Sequence, residues 1–261
     1  IVIDAGNGMA GHTAPAVFER LNCEITEMYY ELDGTFPNHE ANPIDEENLK
    51  DLKKMVKKKD ADIGLAFDGD ADRCFLVDET GTAVNPSLLT ALIAARELKK
   101  KPGSAIIYNL ISSRAVREIV EENGGKPLRS RVGHSYIKAM MAETGAIFGG
   151  EHSGHFYFSD FWRADSGMLA ALHAIAALGE SQLTLSELLA PYARYFASGE
   201  INSKVSDSKA IMAAIKSQYG AKSGVTTDEL DGLTIDGDTW WFNVRASNTE
   251  PLLRLNVEAK T

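Results

Sequence analysis

Phe67-Asp68-Gly69-Asp70-Ala71-Asp72-Arg73 is the stretch on which the reading of this chain turns. Carboxylates at alternating positions repel one another unless a cation neutralises them. Mg²⁺ suits the role, because it takes oxygen ligands and commonly shares its sphere with a substrate phosphate. Arg73 follows at once with a planar fork that can hold a phosphate oxygen. Ile63-Gly64-Leu65-Ala66-Phe67 before the carboxylates and Cys74-Phe75-Leu76-Val77 after them are apolar runs of strand length, so the acids sit on a tight loop between two strands. Asp68, Asp70, Asp72 and Glu79 also match part of an EF-hand calcium loop, but that motif needs Gly where Arg73 stands and a helix on each side. An ordinary acidic turn is the competing reading, since Asp and Gly favour turns for backbone reasons alone.

Composition bounds what surrounds this loop. The 261 residues suffice for one large domain or two to three small ones. The 37 acidic against 27 basic side chains, a net charge of −10, argue against a nucleic-acid or anionic-membrane partner. Lys53 to Lys59 then read as the solvated face of a helix that begins near Asp45, with acids early and lysines late along its dipole. Cys23 and Cys74 stand far apart in strand-like settings, with no spacing for zinc or a disulfide framework, and read as buried thiols in a reducing, cytoplasmic compartment. No apolar run has the length of a membrane span. Ile1-Val2-Ile3-Asp4 reads as a strand already under way, which implies that something precedes Ile1.

Along the chain, strands alternate with helices, the pattern of a mostly parallel sheet. The first strand runs into Gly6-Asn7-Gly8, whose spacing to Gly11 does not match a dinucleotide-binding fingerprint and reads as turn geometry. Helices are expected at about Ala14–Leu21, from Asp45, at Pro86–Lys100, Ser113–Glu122, Ser135–Glu143, Ser166–Leu178 and Leu185–Tyr195. A weak repeat links two of these units. Leu65-Ala66-Phe67 leads through the Asp loop into Cys74-Phe75-Leu76-Val77 and a helix, and Ile147-Phe148-Gly149 leads through Glu151-His152-Ser153-Gly154-His155 into Phe156-Tyr157-Phe158 and a helix. Ser198-Gly199-Glu200 reads as a link into a smaller α+β unit of hairpin order. The expectation is therefore an α/β protein of two similar mixed-sheet domains, residues 1–101 and 102–195, followed by a smaller α+β domain, residues 196–261.

Three further segments carry polar chemistry. Arg245-Ala246-Ser247-Asn248-Thr249-Glu250-Pro251 gathers a guanidinium, hydroxyls and an amide in a turn, a set suited to a phosphate dianion. Glu151, His152, Ser153 and His155 offer hydrogen bonds to sugar hydroxyls, whereas zinc on His152 and His155 lacks further ligands nearby. His134, after Gly133 and just before a helix, is placed to cap it or to titrate near neutral pH. Each segment also has a plain structural reading as a polar turn or a capping residue.

Taken in order, these loops resemble the α-D-phosphohexomutases, the family that includes phosphomannomutase and phosphoglucomutase. The resemblance covers the whole chain. Phe67–Arg73 is similar to the family's metal loop, Gly150–His155 to its sugar-recognition loop and Arg245–Pro251 to its phosphate loop, and Val132–Lys138 resembles a segment near the active site. It implies reversible phosphoryl transfer between the C1 and C6 oxygens of a hexose phosphate through a bisphosphate intermediate. Asp68, Asp70 and Asp72 would hold Mg²⁺, with Arg73 beside the transferring group and His134 assisting proton transfer or phosphate contact. Glu151, Ser153 and His155 would meet the sugar, and Arg245, Ser247, Asn248 and Thr249 the non-reacting phosphate.

The chain departs from the pattern in two places. The family nucleophile is a phosphoserine in a Ser-His-Asn-Pro-like loop of an N-terminal domain, and no such stretch occurs here. The resemblance is thus to the second, third and fourth domains, and a fragment without the first is expected to be inactive alone. Asn109-Leu110-Ile111-Ser112 also lacks the lysine that some bifunctional bacterial members place there. His152 resembles mannose- and glucose-type members more than the glucosamine type. A non-catalytic sugar-phosphate-binding module, and a metal-dependent phosphatase using Asp68 as nucleophile, are the alternatives.

Overall fold

In the computed structural model, which describes residues 1–247 and 251–261, the runs flanking the Asp loop pair with each other. β3 (Ile63–Phe67) and β4 (Cys74–Asp78) are antiparallel, with Phe67 opposite Cys74. Every residue of both strands is buried, which explains why they read as continuous apolar runs instead of alternating ones. β1 (Val2–Asp4) lies parallel to β3, and β2 (Thr26–Met28) parallel to β1, giving the order β2-β1-β3-β4. Alternate side chains serve opposite faces. Ile3, Leu65 and Leu76 pack with Ala14 and Phe18 of α1 (Ala10–Phe18). Val2, Ala66 and Val77 pack with Leu52 and Val56 of α2 (Lys50–Lys59), which follows a 3-10 turn at Glu46–Leu49. α1 begins four residues before the expected start at Ala14, because Gly11 lets the chain pass under the Tyr30 carbonyl, 2.1 Å from where a Cβ would stand.

The second sheet repeats the plan. β5 (Ala105–Asn109) lies between β6 (Lys126–Ser130) and β7 (Phe148–Gly150), both parallel to it, and β7 turns back into β8 (Phe156–Phe158) and β9 (Ala164–Asp165). The hairpin β7–β8 holds the place that β3–β4 holds in the first sheet, as the sequence repeat implied. α4 (Arg114–Glu122) and α5 (His134–Thr144) cover this sheet, α6 (Gly167–Gly179) packs on α3 and on β3 and β4 of the first sheet, and α7 (Leu185–Leu189) ends in a 3-10 turn at Ala190–Tyr192, where Pro191 supplies no N–H. α3 (Pro86–Lys100) packs against α4, α6 and β7, all beyond residue 101, and its Leu89, Leu92 and Ile93 join one core with residues of both sheets. No helix among the described residues is long and apolar enough to cross a membrane.

The last unit is an antiparallel sheet of order β10-β14-β13-β12-β11, formed by β10 (Phe196–Lys204), β11 (Thr226–Asp228), β12 (Leu233–Asp236), β13 (Trp240–Ala246) and β14 (Leu252–Ala259). α8 (Ser208–Tyr219) lies on it, with Tyr219 edge-on to Phe242. Two expectations are corrected. Ser198-Gly199-Glu200 is not a link: it lies inside β10, where the register against β14 shifts between Ala197 and Glu200 and Gly199 takes a φ of +68°. A bulge has the composition of a linker because both need backbone freedom. Cys74 is buried as expected, but Cys23 is exposed, in the surface bend that follows α1.

A buried carboxylate helps to fix the last unit to the second sheet, beside contacts of Arg129, Arg131 and Val132 with Asp228, Leu230 and Asp231. Glu258, 2% exposed, accepts from the Arg114 amide at the start of α4 (2.9 Å) and from Trp241 Nε1 (2.8 Å). Arg114 reaches back to Asp236 and to the carbonyl oxygens of Gly237 and Asp238. Replacing Glu258 by Ala leaves two donors unpaired, a cost of about 1–3 kcal/mol. Denaturant unfolding of Glu258→Ala should show that loss, and an unchanged midpoint would contradict the assignment.

Candidate functional site

The two repeated hairpins bring their loops into contact. The Cys74 amide donates to the Gly154 carbonyl at 3.1 Å, and Arg73 and His155 form an isolated antiparallel bridge. This closeness requires glycine. Gly154 has a φ of +85° and a Cβ there would stand 2.4 Å from the Phe75 ring, while a Cβ on Gly167 at the start of α6 would stand 2.6 Å from the Arg73 carbonyl oxygen. The Gly6–Met9 turn abuts the same loop, with the Met9 amide on the Gly69 carbonyl at 2.9 Å.

Asp68, Asp70 and Asp72 converge, each offering a carboxylate oxygen within 4.8 Å of the others. Ala71, at a φ of +64°, makes the turn that allows it, and its amide donates to the Asp68 carbonyl at 3.1 Å. Asp68 is buried and spoken for: its two oxygens accept from the Arg73 amide (3.1 Å) and Arg73 Nε (2.6 Å). Asp72 Oδ1 is buried without a hydrogen-bond partner among the described residues. Burial, opposed by His155 and reinforced by Asp68, Asp70 and Asp165, raises the Asp72 carboxyl to about 6. A crowded all-oxygen set with an orphaned carboxylate oxygen fits a hard divalent cation.

His155 Nδ1 lies 2.9 Å from Asp165 Oδ2 and 3.6 Å from Asp72 Oδ1. Burial lowers its pKa, but the bond to Asp165 and the surrounding carboxylates outweigh that and raise it. Asp165 is desolvated, yet its bonds to His155 and to Lys138 Nζ (2.8 Å) hold its carboxyl well below the usual range. Sequence reading gave no role to Asp165, and Lys138 entered it only within the Val132–Lys138 segment. Each stands alone on a separate element, and only the fold brings them to His155.

Glu151 is 1% exposed and accepts from Asn109 Nδ2 (3.2 Å), the Gly133 amide (3.0 Å) and the Tyr157 hydroxyl (2.7 Å). A carboxylate has about four acceptor directions, so one remains for a ligand. His134, exposed, opens α5 directly after that Gly133 contact, and Ser153 is half-buried at the tip of the 151–155 loop. Asn109, fully buried, also points Nδ2 at His152 Nδ1 (2.9 Å) and accepts from Ser112 (2.8 Å). The Asn109–Ser112 segment thus supports the Glu151–His155 loop. An amide N–H facing Nδ1 fixes His152 as neutral with its proton on Nε2. Burial and the charges on Arg245 and Arg254 push its pKa down to about 3.

Those two arginines face each other across β13 and β14 and share Glu200, which lies 3.2 Å from Arg245 Nη2 and 3.4 Å from Arg254 Nη1. Both Nε atoms are buried without a hydrogen-bond partner among the described residues. Among the described residues, two guanidinium groups against one carboxylate leave positive charge for an anion. Arg254 was missed, though a cation inside Leu252-Leu253-Arg254-Leu255 was a visible signal. The Ser247 amide closes the base of the loop on the Leu252 carbonyl at 2.9 Å. Asn248 and Thr249 lie outside the described residues.

Comparison with known proteins matches three family descriptions in order: "Phosphoglucomutase/phosphomannomutase, alpha/beta/alpha domain II" over residues 1–81, "alpha/beta/alpha domain III" over residues 85–195, and the "C-terminal domain" over residues 200–261. The chain is 42% identical over 259 residues to a protein of Methanocaldococcus jannaschii named phosphomannomutase, covering 99% of this chain and 57% of that protein. It is 41% identical over 266 residues to the phosphomannomutase/phosphoglucomutase of Pseudomonas aeruginosa PAO1, covering 100% of this chain and 57% of that protein. A crystal structure of a phosphoglucomutase/phosphomannomutase family protein from Burkholderia thailandensis superposes with a TM-score of 0.91 at 35% identity, covering 100% of this chain and 56% of that one. The chain therefore spans a little over half the length of these relatives.

The neutral His152 has a measurable signature. With a folded pKa near 3 against 6.5 when unfolded, unfolding takes up a proton below about pH 6.5, so this residue's contribution to stability is full above 6.5 and falls as the pH drops towards 3. His152→Gln should flatten the acid side of the stability–pH curve by the uptake of about one proton. Urea titrations at several pH values between 4 and 7 test this, and identical slopes would show that His152 is charged in the fold.

Proposed function

The chain belongs to the phosphoglucomutase/phosphomannomutase family, as its domains II, III and IV, and from that premise we propose that the polypeptide carrying it is a phosphohexomutase acting on hexose phosphates of the mannose or glucose type. The reaction is a reversible transfer of a phosphoryl group between the C1 and C6 oxygens through a bisphosphate. The observation that carries this reading is the joining of the Asp loop to the Glu151–His155 loop at Arg73 and His155, with the Arg245–Arg254 pair close enough to depress His152.

Asp68, Asp70 and Asp72 are the residues that would hold Mg²⁺, which when bound neutralises charge on the transferring phosphoryl group. Arg73 keeps Nε on Asp68 and offers its outer N–H groups to a phosphate oxygen. The remaining acceptor direction of Glu151, with Ser153 and His155, orients the sugar hydroxyls, and His134 moves a proton or contacts phosphate at the mouth. Arg245, Arg254, Ser247, Asn248 and Thr249 grip the phosphate that is not reacting. Such placement of fixed charge is the main catalytic contribution in phosphoryl transfer.

The phosphoserine that donates and accepts the phosphoryl group is assigned to a further domain, in keeping with relatives of which this chain covers 57%. On that account residues 1–261 bind hexose phosphates but do not turn them over. We place the first domain boundary between residues 81 and 85, ahead of α3, following the family division and the packing of α3 on the second sheet. Two free thiols suit the cytoplasm.

In the complete polypeptide, Asp70→Asn should lower kcat by about 10²-fold or more with an unchanged circular dichroism spectrum. Normal turnover would refute the metal assignment. Arg245→Ala should mainly raise KM for mannose 1-phosphate and glucose 1-phosphate, by about tenfold or more. An unchanged KM would remove Arg245 from the phosphate site. If the complete polypeptide binds these sugars without interconverting 1- and 6-phosphates, the chain is a binding module instead.

A further inference from the structure

We propose that His39 and Asn42 are positioning residues for Arg73: the His39–Asp4 pair pins the 33–43 loop to the end of β1, and the loop holds the Arg73 guanidinium through Asn42. The inference rests on the reading of Arg73 as the guanidinium beside the transferring phosphate.

The pin is a part-buried ion pair whose carboxylate is buried and whose remaining groups are satisfied. Asp4, 1% exposed, closes β1 and is the deepest carboxylate of the first unit. Its Oδ1 accepts from the Gly6 amide at 2.9 Å, and its Oδ2 lies 3.0 Å from His39 Nε2. His39 Nδ1 lies 2.9 Å from the Glu40 carbonyl oxygen. Two acceptors on two ring nitrogens require two protons, so His39 is an imidazolium held by a buried carboxylate. Its pKa of about 8, raised chiefly by the bond to Asp4 against the opposing effect of burial, agrees with that geometry. The ring also stands edge-on to Tyr29, whose hydroxyl donates to Asp51 at 3.0 Å. A second tie lies beside the first, where Asn38 Nδ2 donates to Asn7 Oδ1 at 2.8 Å. Gly6, at a φ of +54°, gives the loop room, since a Cβ there would already touch His39 Cε1 at 3.4 Å.

Asn42, three residues beyond His39, is fixed at its carbonyl by Asn48 Nδ2 (2.9 Å) and accepts at Oδ1 from Arg73 Nη1 (3.3 Å). A guanidinium has five N–H groups in one plane. Asp68 at Nε and Asn42 at Nη1 fix that plane at two points, and the Nη2 edge is left for a phosphate oxygen. Asp68 alone would leave the plane free to swing about a single contact. The value of such a contact lies in preorganisation, since a donor already in place loses less entropy when the phosphate arrives. The Asp4 carboxylate, the imidazolium and the loop amides act through their bonds within the protein. Their role is carried through Arg73.

The test has a structural arm and a binding arm, both on residues 1–261. NMR of the arginine side chains measures rotation about the Arg73 Nε–Cζ bond, with Arg73→Lys identifying the signal. Rotation should be slow in the unaltered chain and about tenfold or more faster in Asn42→Ala and His39→Ala, with Asn42→Asp, which keeps the acceptor, restoring slow rotation. Equal rates in all four proteins would overturn the proposal. Should His39→Ala unfold the chain, Asn42→Ala and Asn42→Asp carry the test, as Asn42 is at the loop's edge. In the binding arm, calorimetry with glucose 1,6-bisphosphate should show Asn42→Ala losing about fivefold or more in affinity, and less than twofold when Arg73 is already Lys. Equal losses on both backgrounds would also overturn the positioning role. If Arg73→Lys leaves the affinity unchanged while rotation still responds to Asn42, the positioning chain stands and the reading of Arg73 as a phosphate contact falls.

Discussion

The bridge between Arg73 and His155, with the Cys74 amide on the Gly154 carbonyl, is the constraint on which the rest of the molecule depends. It joins the turns of two hairpins that belong to two sheets. The join sets the distance between the acidic loop and the Glu151–His155 loop. Everything nearby adapts to it: Gly154 forgoes a side chain because Phe75 fills that space, and Gly167 does the same under the Arg73 carbonyl. α3 then packs beside both sheets, so that the two repeats share one apolar core. A repeat that evolves two separate loops gains a single site only if the loops meet, and this backbone contact is where they do.

Charge is distributed along the site with one sign at each end. Asp68, Asp70 and Asp72 concentrate negative charge where a cation would bind, and Arg245 and Arg254 concentrate positive charge where a phosphate would. Between them lies a region held close to neutral or internally paired: His155 with Asp165 and Lys138, Glu151 with its protein donors, and a neutral His152. The chain's net charge of −10 makes the arginine pair an island of opposite sign, which favours anionic ligands locally in a molecule that repels them elsewhere.

Much of this was legible in the sequence, for physical reasons. The Asp loop announced itself because like charges need a counterion, and the strands around it because residues buried on both faces read as unbroken apolar runs. The repeat was readable because the same hairpin must be encoded twice. What was not legible is contact between distant elements. Asp165 carries no local pattern, Lys138 and Arg254 stand in legible segments that do not name their partners, and all three pair with other strands and helices. Ser198-Gly199-Glu200 looked like a link because a bulge and a linker ask the same of the backbone. Cys23 looked buried from its strand-like setting, but it lies in the exposed bend after α1. The pairing of His39 with Asp4 leaves no local trace either, because it depends on a fold that returns the loop to the end of β1.

The central claim is that residues from three domains form one hexose-bisphosphate site on this chain. Chemical-shift mapping of glucose 1,6-bisphosphate titrated into residues 1–261 with Mg²⁺ present tests it most directly. The account predicts saturable shifts, with a common dissociation constant, at Arg73, Ser153 and Arg245 together. Shifts confined to one of the three loops, or constants that differ between them, would contradict it.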